Sequence, residues 1–176
     1  YDVASVRVHP SGKITVFAGS HSHGQAHETT WLQIAADRLG CHIDDLELVE
    51  GDTDRVPFGI GTWGSRSLST AGMAVAVASD KVTVKAKMLA AHMLECAPDD
   101  IEIAESMFSV KGTDRGLSYA EVADAAYHRG DRPEGLEIGL EETHFYDPTD
   151  CNYPSAIHVC AVLVDADTGG VTLRDY

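Results

Sequence analysis

The chain has 176 residues, of which 44% are hydrophobic and 23% are charged, a composition typical of one globular domain. Its 28 acidic residues outnumber the 13 lysine and arginine residues, and the resulting net charge of −15 disfavours nucleic acids and anionic membrane surfaces as partners. No apolar run approaches the length of about 18 residues that crosses a membrane.

One hairpin, one helix and one strand are predicted in the first fifty residues. Alternating apolar positions on either side of Pro-Ser-Gly predict a β-hairpin over residues 6–17, which leads into a loop of small and polar residues at 18–27. A helix is predicted to begin near Glu28 and to end at Gly40, because an acidic residue suits the first turn and glycine suits the position after the last. Leu46–Glu50 alternates as a short strand.

A glycine-rich loop at residues 57–67 then leads into the longest predicted helix, an Ala-rich segment at about 69–95. Part of this loop reads G-x-G-x-x-G, the pattern of dinucleotide-binding folds. That fingerprint requires a strand directly before the first glycine, whereas here the loop 51–58 intervenes. Glycines allow close backbone approach to a ligand, and a following helix offers free N–H groups, so the loop suits an anion.

The second half of the chain is predicted to hold further short elements. They are a hairpin at 100–103 and 107–110, a helix from the capping box Ser118–Glu121 through Tyr127 that stops at Gly130, an extended segment at 136–145, and a long hairpin at 156–164 and 171–173. Strands and helices mix without strict alternation. We therefore predict one α+β domain, with a mixed sheet and two shorter helices packed with the long Ala-rich helix.

A cluster of histidines in the loop before the first helix suggests a metal. His21 and His23 have the His-x-His spacing that places two imidazoles on one side of an extended segment, and His27 could complete a zinc triad. Glu28 would then be available as a general base, which predicts a zinc-dependent hydrolase.

The same loop also supports a different interpretation. Gln25 carries both a donor and an acceptor on its amide, which suits a heterocycle or an oxo group better than a metal ion. His27, Thr29 and Thr30 lie at the start of a helix, where phosphate oxygens are stabilised. Since this loop and the glycine-rich loop each precede a helix and are separated by one short strand, we expect them to converge on one ligand.

Three motifs, in order along the chain, resemble a known family. They are Gly24-Gln-Ala-His-Glu-Thr-Thr30, Gly51-Asp-Thr-Asp54 and Pro57-Phe-Gly-Ile-Gly-Thr-Trp-Gly-Ser-Arg-Ser67. The sequence is similar to the large subunit of the molybdenum hydroxylases, the xanthine dehydrogenase, aldehyde oxidase and carbon monoxide dehydrogenase family. The resemblance covers nearly the whole chain and implies molybdopterin as cofactor, usually the cytosine dinucleotide form in bacteria, with molybdenum held by its dithiolene.

The resemblance also implies roles for particular residues. Gly24 and Gln25 would contact the pterin, with Ala26 beside them, and His27, Thr29 and Thr30 would lie near the phosphates. The second loop would wrap the pterin and approach the metal through Thr62, Trp63, Gly64, Ser65, Arg66 and Ser67. Trp63 would either narrow the substrate funnel or anchor the core. The family often has glycine where this chain has Ala26, and a left-handed backbone there would cost about 1 kcal/mol.

Nothing in the sequence matches the family's catalytic glutamate motif or its upstream glycine-rich segment. We therefore expect residues 1–176 to be a single cofactor-binding domain excised from a longer chain, with no catalytic residue and no direct metal ligand of its own. The implied partners are the rest of the large subunit, iron–sulfur and FAD subunits or domains, and a small substrate such as an aldehyde, an N-heterocycle or carbon monoxide.

Two other expectations complete the sequence analysis. Four widely spaced cysteines without a C-x-x-C pair indicate free thiols in a reducing compartment, which predicts a cytoplasmic protein. A non-enzymatic assembly module, whose loops only pack against partner subunits, remains a third functional alternative beside the zinc hydrolase.

Overall fold

A computed structural model describes residues 1–128 and 132–176 of the chain. In chain order, its strands and α-helices are β1 (Asp2–Val8), β2 (Ile14–Ala18), α1 (His27–Leu39), β3 (Leu46–Glu50), α2 (Met73–Met93), β4 (Ile101–Ala104), β5 (Met107–Val110), β6 (Gly116–Ser118), α3 (Tyr119–His128), β7 (Leu140–Tyr146), β8 (Ala161–Val164) and β9 (Val171–Asp175).

The main sheet has the strand order β3-β2-β1-β7. β1 pairs antiparallel with both β2 and β7, whereas β2 and β3 are parallel, with Ala18 opposite Glu50. The central position of β1 explains its composition, because all of its residues except Arg7 are buried. The predicted mixed sheet of an α+β domain is therefore confirmed.

The parallel pair β2 and β3 is joined by α1, which begins and ends close to its predicted limits. Trp31, Ala35 and Leu39 recur every four residues and are all fully buried, so one stripe of the helix faces the core. Gly40 ends the helix in the left-handed conformation at φ 66°, and its N–H donates to the carbonyl of Ala36.

The long helix α2 packs on the sheet together with the two shorter helices, since α1 and α3 also contact its strands. It contacts β1, β7, α1 and α3, and its many alanines allow these close approaches. A π-helical turn, Leu68–Gly72, precedes it in place of a regular first turn. A Cβ on Gly72 would lie 2.9 Å from Cζ3 of Trp31, so α1 and this turn meet where only glycine fits.

The second half of the chain follows the prediction less closely. The hairpin β4–β5, extended by β6, and the Ser118–Glu121 capping box at the start of α3 are both present. The predicted stop of that helix at Gly130 lies outside the described residues. The extended segment predicted from residue 136 begins only at Leu140, because Gly139 turns the backbone at φ 87°.

The first strand of the last hairpin is shorter than predicted, whereas the second runs two residues further, to Asp175. β8 begins at Ala161, which pairs with Asp175 near the end of β9. No described strand lies opposite residues 156–160, so they form no ladder. Within the part of the chain that the structure describes, no helix is both long and apolar enough to span a bilayer.

Candidate functional site

Two loops meet at one edge of the main sheet. The first loop (residues 19–26) follows β2, and the second loop (residues 51–67) follows β3. Because β2 and β3 are parallel neighbours, their carboxyl ends lie at the same edge, where ligands of such sheets are generally bound. Each loop then enters a helix, so two helical N-termini also face this edge. The predicted convergence of the loops is therefore present.

A cavity of about 560 Å³ separates the two loops, within the size range of ligand pockets. Its lining residues are His23, Gly24, Gln25, His27, Thr30, Thr62, Trp63, Gly64, Ser65, Ser67 and Leu68. Nine of the twelve residues predicted to bind a cofactor are among them, the other three being Ala26, Thr29 and Arg66. A cavity of similar volume, about 520 Å³, lies along α2 and contains none of the motif residues.

The loops cross at a contact between two glycines. A Cβ on Gly59 would lie 2.0 Å from the carbonyl oxygen of Gly19, and a Cβ on Gly19 would lie 2.4 Å from the carbonyl oxygen of Phe58. Backbone packs directly on backbone here, so neither position accepts a side chain. The first glycine of the predicted anion loop therefore serves the packing of the loops.

Thr62 joins the loops beside the cavity. Its hydroxyl accepts a hydrogen bond from the backbone N–H of His21 at 3.3 Å and one from the hydroxyl of Ser67 at 3.1 Å. Its carbonyl lies 3.4 Å from Nε2 of His23. These contacts fix the spacing of the two loops, and hence the width of the cavity.

The lining of the cavity suits an anion despite the strongly acidic chain. None of the described residues that line it carries a carboxylate. Helix α1 starts at the cavity without a side-chain cap on its first N–H groups, which leaves the positive end of its dipole open. Gly64, which lines the cavity at φ 61°, has no atom within 4 Å of a hypothetical Cβ, so its backbone is open to an approaching ligand.

Comparison with known proteins shows which family the chain belongs to. A family model described as molybdopterin cofactor-binding domain matches residues 1–176. The chain belongs to the molybdenum hydroxylase family.

Its relatives are large subunits of bacterial enzymes. The carbon monoxide dehydrogenase large chain of Afipia carboxidovorans is 44% identical over 177 residues, covering 100% of this chain and 22% of the relative. Two solved structures cover 99% of the chain and 22% of their own, each with a TM-score of 0.81. They are carbon monoxide dehydrogenase from Oligotropha carboxidovorans at 43% identity and quinoline 2-oxidoreductase from Pseudomonas putida 86 at 36%. The molybdopterin-binding domain thus spans about a fifth of the proteins it matches.

In this molybdopterin-binding domain, the first loop is shaped by its own side chains. The side-chain oxygen of Gln25 accepts a hydrogen bond from the backbone N–H of His23 at 2.7 Å. The hydroxyl of Thr30 donates to the carbonyl of Ala26 at 3.0 Å, which closes the first turn of α1. Ala26 itself has φ 60° and ψ 43°, so the left-handed conformation considered from the sequence is present at this non-glycine position.

The second loop presents Trp63 at the surface of the cavity. Its side chain is 60% exposed, so the sequence alternative that Trp63 anchors the core is wrong. The next two residues, Gly64 and Ser65, both have positive φ, and Arg66 N–H closes the turn onto the carbonyl of Trp63 at 3.4 Å. This is the pattern of a type I′ turn, which turns Ser65 into the cavity lining.

Arg66 has a structural environment that its motif did not indicate. Its guanidinium lies 3.3 Å from the fully buried carboxylate of Asp2, and it donates to the carbonyls of Gly61, at 3.1 Å, and Tyr1. Only 12% of the Arg66 side chain is exposed. The arginine therefore ties the end of the second loop to the first residue of β1.

His27 turns into the domain interior rather than toward the other two histidines of its cluster. Its Nδ1 lies 3.6 Å from Oε2 of Glu50, and its ring packs on Trp31 with centroids 4.6 Å apart. No group of three His, Cys, Asp or Glu side chains among the described residues is placed to hold a metal ion. The zinc-hydrolase alternative therefore finds no support in the geometry.

Three residues at the site were missed by the functional interpretation of the sequence. Leu68 lines the cavity from the π-helical turn, and Glu50 and Asp2 support the two loops from beneath. A usable signal existed for Asp2, because it is the one carboxylate in a mostly apolar strand, and a carboxylate that is buried there needs a partner. For Glu50 the alternation of the strand gave no such signal.

Proposed function

We propose that this domain binds molybdopterin, as the cytosine dinucleotide, in the cavity between the first and second loops. The observation that carries the proposal is the convergence on one cavity of nine motif residues, seven from the two loops and two from the first turn of α1. The family model supports a molybdopterin-binding role for residues 1–176 as a whole.

The cavity residues fit the chemistry of this cofactor. A pterin offers ring nitrogens and an exocyclic amine to amides such as Gln25, and phosphates suit the open start of α1 near His27 and Thr30. Ser65 adds a hydroxyl donor on the opposite side, whereas the hydroxyl of Ser67 already donates to that of Thr62. When bound, the cofactor would supply a dithiolene-held molybdenum centre for hydroxylation of carbon with oxygen from water.

We propose that the domain is one part of a longer large subunit, cytoplasmic, and not catalytic alone. Iron–sulfur and FAD subunits or domains would accept the electrons, and the substrate would be a small molecule such as carbon monoxide, an aldehyde or an N-heterocycle. The similar proteins include both a carbon monoxide dehydrogenase and a quinoline 2-oxidoreductase. We therefore propose these substrate classes as a group and do not select one of them.

Elemental analysis of the full-length parent protein tests the proposal. Molybdenum with about two phosphorus atoms per chain is expected for a dinucleotide cofactor, and about one for the mononucleotide form. Zinc without molybdenum would return the chemistry to the histidines. Absence of both metals and of phosphorus would contradict the proposal and leave the assembly module.

Substitutions in the parent protein locate the cofactor. Gln25→Ala and Ser65→Ala should each lower the molybdenum and phosphorus content while the melting temperature of the cofactor-free protein stays nearly constant, because both side chains lie at the cavity surface. Gln33→Ala is the matched control, since Gln33 is exposed on α1 away from the lining residues. Normal cofactor content combined with lost stability would refute the assigned roles.

A further inference from the structure

A buried histidine–carboxylate pair lies directly beneath the first loop. Glu50 ends β3, and His27 begins α1; their side chains are only 13% and 6% exposed. The 3.6 Å between Nδ1 of His27 and Oε2 of Glu50 is too long for a regular hydrogen bond, and neither atom has another partner among the described residues. Burying polar atoms without a hydrogen-bond partner is unfavourable for folding. The arrangement therefore needs an explanation other than local stability.

The second oxygen of the same carboxylate orders the loop itself. Oε1 of Glu50 accepts a hydrogen bond from the backbone N–H of Ser22 at 2.9 Å. One carboxylate therefore contacts the middle of the first loop and the first residue of α1. These are the two parts of the chain that place Gln25 and the open helix start at the cavity.

From His27 the contacts continue to the second loop. The imidazole packs on Trp31, and Trp31 fills the space beside Gly72, where even a Cβ would lie 2.9 Å from the indole. Gly72 ends the π-helical turn that directly follows the second loop. The contacts of Glu50 with His27 and of His27 with Trp31 thus connect the base of the first loop to the helical turn that follows the second loop.

We propose that Glu50 is a positioning residue for the cofactor, acting through His27 and the Ser22 amide to hold the first loop in its binding conformation. This inference rests on the proposed molybdopterin function. It assigns to Glu50 a role that none of the three motifs covers, since Glu50 precedes the Gly51-Asp-Thr-Asp54 motif and does not line the cavity.

The test uses the full-length parent protein with Glu50→Ala, Glu50→Gln and the control Glu47→Gln. Glu47 lies on the same strand with an exposed side chain, so its variant makes the same chemical change without the buried contacts. We expect Glu50→Ala to lower molybdenum and phosphorus content about tenfold, because it removes the acceptor of the partly buried Ser22 N–H group. Glu50→Gln keeps one acceptor and should lose less, and Glu47→Gln should load normally.

A second comparison separates positioning from general destabilisation. Ile101→Val removes one methylene from a fully buried side chain on β4, and Ile101 belongs neither to the cavity lining nor to the two loops. If it lowers the melting temperature of the cofactor-free protein as much as Glu50→Gln but leaves cofactor content unchanged, the loss in Glu50→Gln comes from the loop. Equal loss of cofactor in both variants would overturn the inference.

A double variant tests whether the pair acts as a unit. Glu50→Gln combined with His27→Gln should lose less cofactor than the product of the two single losses, whereas independent roles would multiply them. Multiplied losses would refute the coupling. If wild-type parent protein contains no molybdenum and no phosphorus, the proposed function fails first; if it is loaded and Glu50→Ala is loaded equally, only the positioning role fails.

Discussion

The first and second loops border the same cavity, but they are held in place differently. The first loop rests on Glu50 and His27, and His27 also lines the cavity, so support and binding surface share a side chain. The second loop is held by Arg66, whose partner Asp2 lies on β1 outside the cavity lining. Substitutions in the support of the first loop should therefore lower cofactor content and stability together. Substitutions in the support of the second loop should lower stability directly and cofactor content only as a consequence.

The largest expected effect is that of Arg66→Ala on stability. The substitution leaves the fully buried Asp2 carboxylate without its ion-pair partner, and breaking such a pair costs about 3–5 kcal/mol. We expect a clear fall in the melting temperature of the cofactor-free parent protein and faster hydrogen exchange in β1. Loss of cofactor should follow only as a consequence of the displaced loop.

Arg66→Lys sharpens this prediction. Lysine keeps the charge near Asp2, but it cannot present the planar set of donors that reaches the carboxylate and the carbonyls of Gly61 and Tyr1 together. Its stability should lie between those of the wild type and Arg66→Ala. If Arg66→Ala melts like the wild type but is empty of cofactor, Arg66 contacts the cofactor directly, as its motif suggested, and the contrast between the loops is wrong.

The crossing of the loops gives the next effect. In Gly59→Ala the new Cβ would be placed 2.0 Å from the carbonyl oxygen of Gly19, and since both groups are backbone the loops must move apart. A cost of about 1–3 kcal/mol is expected. Both stability and cofactor content should fall, because the cavity lies between the displaced segments.

Gly61→Ala is the matched control for that steric effect. Its Cβ would meet no atom within 4 Å, but its φ of 78° is unfavourable for alanine. A smaller loss of about 1 kcal/mol is expected, from backbone conformation alone. Equal losses in Gly59→Ala and Gly61→Ala, measured by thermal unfolding, would show that the loops do not need their close crossing.

The sequence predicted which residues line the cavity better than it predicted which residues hold the two loops in place. The order of the motifs and the helix that follows each loop were sufficient to place Gln25 and Ser65 at one cavity, since both depend on local pattern. The Arg66–Asp2 pair joins positions 64 residues apart, and its partner is chosen by the tertiary fold. The motif alone therefore indicated a ligand contact for Arg66 where the structure shows an ion pair.

Local sequence also did not predict which glycines pack against other backbone, or where the last hairpin begins. Glycines in the second loop were predicted to admit a ligand. Gly61 and Gly64 have open space beside their Cα atoms, whereas Gly59 is used for packing. The final hairpin was predicted too long because β-propensity does not show that residues 156–160 lack an opposing strand among the described residues. The role of Gly59 and the start of the strand both depend on contacts with residues distant in the sequence, which local pattern does not show.

The smallest expected effect concerns Ala26, at the junction of the first loop and α1. Its φ of 60° and ψ of 43° cost alanine about 1–2 kcal/mol, while glycine would lose about 0.5–1 kcal/mol more conformational freedom on folding. Ala26→Gly should therefore stabilise the cofactor-free parent protein by at most about 1.5 kcal/mol. A modest rise in melting temperature, with unchanged molybdenum content, is the expected result.

This small change distinguishes two ways of holding the first loop. If Glu50 and His27 fix the loop from beneath, relief of strain at Ala26 leaves the arrangement of Gln25 unaltered, and cofactor content stays constant while stability rises. If the strained residue itself sets the loop, glycine would loosen it and cofactor content would fall. Because one outcome leaves cofactor content unchanged and the other lowers it, an effect of about 1 kcal/mol on stability is still decisive when molybdenum per chain is measured alongside melting.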